Sequence, residues 1–66
     1  MASLDTAQLS ALAAGIDDSI TRVADLGERL DTGATSDAAN ALFEAERALK
    51  MAQRSLARAS RALGTP

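Results

Sequence analysis

The sequence predicts an all-α protein, an antiparallel two-helix hairpin that dimerises into a four-helix bundle, and three observations carry that prediction. Leucines recur every seven residues at Leu42, Leu49, Leu56 and Leu63, with alanines keeping the same interval at Ala38, Ala45, Ala52 and Ala59. A second seven-residue row, Leu9, Ile16, Val23 and Leu30, runs through the first half of the chain. Between the two rows lies one short break, Thr32, Gly33, Ala34 and Thr35. A seven-residue apolar interval keeps one stripe of an α-helix turned toward a partner helix, and alanine in alternate layers lets that partner come close.

The first helix is predicted over about residues 5–31. Asp5 is placed to accept from the backbone N–H of Gln8, Gln8 to reach back, and Leu4 to pack on Leu9, the combination that opens a helix. Leu12, Ala13, Ile20 and Leu26 fill the face set by the seven-residue row. Gly15 and Gly27 interrupt it, each costing about 1 kcal/mol relative to alanine in a helix interior. A hairpin centred on the turn sets Gly15 near Ala52 and Gly27 near Asn40 and Ala41, so close backbone approach is one reason for them. The other is a break at Gly15, with Asp17 and Asp18 capping a new helix, which makes three helices in all. The uninterrupted spacing favours the single helix. Ser19, on the core-facing side, is expected to bond back to the backbone four residues earlier.

The turn is predicted at 32–35. Gly33 suits the left-handed residue that ends a helix, and Thr35 or Ser36 suits the cap of the next. Helix two then follows over about 36–63, stopped by Gly64 and Pro66. At about 1.5 Å per residue both rods span roughly 40 Å, and so short a connection makes them antiparallel neighbours.

Two helices touch along a line, while these apolar faces are at least about 100° wide, so part of each stripe needs another surface. Two hairpins related by a two-fold axis are the simplest closed solution. The expected oligomer core is Leu9, Ile16, Ile20, Val23 and Leu30 from the first helix, with Leu42, Ala45, Leu49, Ala52, Leu56, Ala59 and Leu63 from the second. Parallel and antiparallel pairing of hairpins, and dimer and tetramer, fit the pattern alike.

Composition bounds the rest. With 66 residues the chain is read as one domain, 1–66, and it holds neither cysteine nor histidine. Disulfide and zinc staples are thereby excluded, which leaves helix packing and self-association to stabilise so small a chain. No stretch resembles a secretory signal or is apolar enough to cross a bilayer, so a soluble, cytoplasmic protein without membrane attachment is expected.

Charge is distributed unevenly around a net −2. All the acids fall within residues 1–46, opposed there only by Arg22 and Arg29, whereas residues 47–61 carry bases alone. Those bases, Arg47, Lys50, Arg54, Arg58 and Arg61, fall within an arc of about 80° opposite the leucines. Such a stripe suits contact with nucleic-acid phosphates. It equally suits a solvated helix face whose bases complement the C-terminal dipole. An acidic chain with Phe43 as its one aromatic residue favours the solvated face. Phe43 and Met51 lie off the main stripe and are candidate contacts for a second protein, although Phe43 also suits a place at the edge of the dimer core.

Catalysis finds little support, since no histidine or cysteine is present and Lys50 is the one lysine. Asp17 with Asp18, and Glu44 with Glu46, are spaced too poorly around a helix to make a carboxylate pair or a metal site, so no cofactor or metal is expected. Asp18 with Arg22, Asp25 with Arg29 and Glu46 with Lys50 instead match ion pairs across one helical turn. Arg22 and Arg29 flank the stripe, and Arg22 is placed to reach Glu44 or Glu46 across the hairpin and select the antiparallel partner.

In size and hairpin organisation the chain resembles the small plasmid copy-number regulators that bind RNA as dimeric four-helix bundles. The resemblance is architectural. Their RNA face uses lysines and an aromatic on the first helices, and helix one here has neither, so no residue is carried over. The function the sequence points to is a non-enzymatic, homo-oligomerising interaction or regulatory module that engages itself and a second protein. The alternative is a small nucleic-acid-binding regulator using the basic stripe.

Overall fold

The computed structural model describes residues 4–64. Helix α1 spans Leu4–Leu30, a short 3-10 turn covers Gly33–Thr35, and helix α2 spans Ser36–Gly64. The two helices pack against each other as a hairpin with Cα extents of 52 × 14 × 11 Å. Its radius of gyration is 15.2 Å, against about 11 Å for a compact domain of this length.

Helix α1 runs unbroken through Gly15, so the three-helix alternative does not occur. Asp5 lies inside its first turn, where a carboxylate complements the helix dipole. Leu4 is 74% exposed, so it provides little of the expected staple on Leu9.

The bend is built as the sequence implies, with one reversal. Gly33 holds φ of +36°, the left-handed value that a side chain disfavours. Thr35 acts on the helix behind it instead of capping the one ahead. Its hydroxyl donates to the Leu30 carbonyl at 2.5 Å and to the Thr32 carbonyl at 3.1 Å. The last carbonyl of α1, which has no partner within the helix, is thereby satisfied from the turn, where it also accepts from the Thr32 backbone N–H at 2.8 Å.

Residues of both seven-residue rows line the seam. Leu9, Ile16, Ile20, Val23 and Leu30 on α1, and Leu42, Ala45, Leu49, Ala52 and Leu56 on α2, are all half-buried. Ala59 and Leu63 are exposed, Leu63 by 60%. A strict seven-residue row drifts about 20° per repeat round a straight helix, so a row facing α1 at Leu42 has swung about 60° by Leu63. Full burial is confined to Ala39 and Gly27 among the described residues.

Candidate functional site

Register decides which side chains meet across the hairpin. Phe43 packs its ring on Gly27, where a Cβ would stand 2.8 Å from Cε1 and 3.1 Å from Cδ1 of the ring. The Asp17 carboxylate accepts a hydrogen bond from the Gln53 side-chain amide. Phe43 lies two to three residues further along α2 than the Asn40 and Ala41 expected opposite Gly27. Gly27 is therefore required by an aromatic ring and not by a neighbouring backbone. Phe43, read either as a contact for a second protein or as a residue at the edge of the core, is half-buried against Gly27 of its own chain. Met51 is 65% exposed.

Gly15 behaves differently. A Cβ built there meets nothing within 4 Å, so close approach within the hairpin does not explain this glycine. It lies in a groove of about 570 Å³ on the outer flank of α1, lined by Gln8, Ala11, Leu12, Gly15, Ile16 and Ser19. Ser19 is half-buried in that groove, and Thr21, two residues on, bonds back along α1 by donating to the Asp17 carbonyl at 3.4 Å. A smaller groove of about 370 Å³ lies along the seam between Leu9, Ala13, Asp17, Gln53, Leu56 and Ser60.

The hairpin has two unlike sides. With antiparallel axes and about 100° between successive residues, Leu12, Gly15 and Leu26 of α1 come to the same side as Ala41, Ala48, Ala52 and Ala59 of α2. Leu12 is 59% and Leu26 39% exposed, and the alanines other than half-buried Ala52 are exposed as well. The Asp17–Gln53 pair lies on the opposite side. Arg47, Lys50, Arg54, Arg58 and Arg61, all exposed, occupy that side and the back of α2.

Two of the three expected one-turn ion pairs form among the described residues, and Asp25 with Arg29 does not. Arg22 Nε lies 2.9 Å from Asp18, and Lys50 Nζ 3.2 Å from Glu46, as the one-turn spacing implies. Arg22 therefore does not reach across to Glu44 or Glu46; Asp18 is a turn away on its own helix, and Glu46 is engaged by Lys50. Within the basic stripe, Arg58 also donates to the Ser55 hydroxyl at 3.0 Å. No three metal-ligating side chains gather among the described residues. Neither helix is long and apolar enough to cross a membrane. The cross-hairpin polar contact of Gln53 went unforeseen, although Gln53 stands a turn beyond Leu49 on the seam side of α2, where a polar end has to find a partner at the edge.

Comparison with known proteins finds no matching family model, no similar curated protein and no similar solved structure.

Proposed function

We infer that this chain is a non-enzymatic helical hairpin that works in the cytoplasm by self-association, as a protein-interaction or regulatory module built on a four-helix bundle. One observation carries the reading: the described residues hold no large side chain that is fully buried, while Leu12, Leu26 and Leu63 remain 59%, 39% and 60% exposed. Small monomeric domains without staples seldom tolerate so thin a core. A second hairpin laid on the first supplies the missing cover at the cost of one association step. Met51, 65% exposed on the back of α2, stays accessible in such a pair and is the candidate contact for a second protein.

Sedimentation equilibrium over a dilution series tests this reading. The expected result is twice the 6.8 kDa chain mass at micromolar concentration, with melting temperature rising as concentration increases. A monomer of the chain mass throughout, melting at one temperature, overturns it.

The second reading, contact with nucleic-acid phosphates, is supported by the exposure of all five bases between Arg47 and Arg61. It predicts retention on nucleic acid that falls steeply with salt and weakens when Arg54 and Arg58 are both replaced by alanine. Retention unchanged by that double replacement counts against it.

A further inference from the structure

Resting on the self-association reading, we propose that the occupant of the open apolar side is a second copy of this chain, docked with a two-fold axis through Ser19 of α1. Three observations lead there. The first is area. The chain exposes 4847 Å², whereas a compact monomer of its 6.8 kDa mass exposes about 3,950 Å². The excess, about 900 Å², matches the roughly 800 Å² that each partner gives up in a stable interface of standard size.

The second is the contrast between two glycines in one helix. Gly27 is explained inside the hairpin, because a Cβ there collides with Phe43. Gly15 is equally unfavourable to the helix, yet nothing of its own chain stands within 4 Å of where a Cβ would be. Gly15 and Ala11 add little bulk to a groove they share with Leu12 and Ile16, so a neighbouring helix can approach closely there.

The third is symmetry. Leu12 and Leu26 stand seven residues to either side of Ser19. An antiparallel α1–α1 contact with its axis at Ser19 lays Leu12 of each copy on Leu26 of the other and brings the two small Ser19 side chains together at the centre. Such a contact is isologous, so it closes at two copies. The exposed alanines of α2 lie on the same side and leave room for the partner helices to settle beside the α1 pair. The charged side, with the Asp17–Gln53 contact, stays in water.

The chain contains no cysteine, so one introduced thiol reports the axis directly. Ser19→Cys, a change of nearly equal volume, is expected to convert to a disulfide-linked dimer under mild air oxidation, at micromolar protein, at least ten times faster than Ala57→Cys on the charged side. Leu12→Asp, at a position already 59% exposed and so harmless to the single hairpin, should raise the dimer dissociation constant at least tenfold. Met51→Asp should leave it unchanged. A wild-type chain that sediments as a monomer removes both this proposal and the self-association reading. A wild-type dimer in which Ser19→Cys links no faster than Ala57→Cys, or which survives Leu12→Asp, overturns the interface alone.

Discussion

Replacing Gly27 by alanine sets two sizeable effects against each other, and the geometry gives the outcome. In a helix interior the change is worth about 1 kcal/mol in favour of folding, because alanine has less backbone freedom to lose. At Gly27 the new Cβ lands 2.8 Å from Phe43 Cε1. Ordinary contact begins near 3.5 Å between carbon atoms, so the ring has to retreat by roughly 0.7 Å. Phe43 is half-buried and swings outward only by uncovering the seam. Overpacking of this kind typically costs 1–3 kcal/mol. The net expectation for Gly27→Ala is a loss of about 1 kcal/mol, or a melting temperature lower by about 4–8 °C for so small a domain. The assay is thermal and urea unfolding followed by helical circular dichroism at one fixed protein concentration, in a double-mutant cycle with Phe43→Leu. In the leucine background the collision is relieved and Gly27→Ala should stabilise by about 1 kcal/mol, which gives a coupling of about 1–3 kcal/mol. Equal effects of Gly27→Ala in the two backgrounds would refute the assignment of this glycine to the aromatic ring.

Other predictions concern the bend and the seam. Gly33→Ala forces an L side chain into φ of +36° and should cost about 1–2 kcal/mol in urea unfolding; an unchanged midpoint denies the left-handed turn. Thr35→Val removes the hydroxyl that holds the Leu30 carbonyl and should cost about 1 kcal/mol, a loss that Thr35→Ser largely restores. Gln53→Ala deletes the side-chain bond to Asp17 and should cost about 0.5–1.5 kcal/mol, with Asp17→Ala giving no further loss once Gln53 is gone. The Asp18–Arg22 pair, 62% and 79% exposed, should contribute only a few tenths of a kcal/mol, and Arg22→Gln should become neutral at high salt.

Much of this architecture can be read from local pattern alone. Helix content, the position of the bend and the left-handed glycine follow from spacing and from residue types that act within a few positions of themselves. So do Asp18–Arg22 and Glu46–Lys50, because a one-turn pair needs nothing beyond its own helix. What pattern could not supply is where long side chains land across the seam. Phe43 and Gly27 carry no mutual signal in the sequence; the ring reaches Gly27 because a helical side chain leans over the turn N-terminal to its own Cα, toward the level of Asn40 and Ala41. Asp17 and Gln53, 36 residues apart, are hidden for the same reason. The direction of the Thr35 hydroxyl is a matter of a single rotamer, and a threonine beside a helix start suits either neighbour. The basic stripe was legible as a stripe, since an arc of exposed bases follows from 100° per residue alone. Whether phosphates meet it is a property of another molecule, on which one chain's spacing is silent.

The fully covered positions, Gly27 and Ala39, both sit beside the bend, while Leu4 and Leu63 stand bare at the far end. A single hairpin is thus fastened like a zip at its closed end and grows looser toward the tips. Pulled apart by its two termini, it should peel gradually at low force, with the linkage at Phe43 the last to part. Amide protons should follow the same gradient, exchanging slowest around the bend and fastest at the tips.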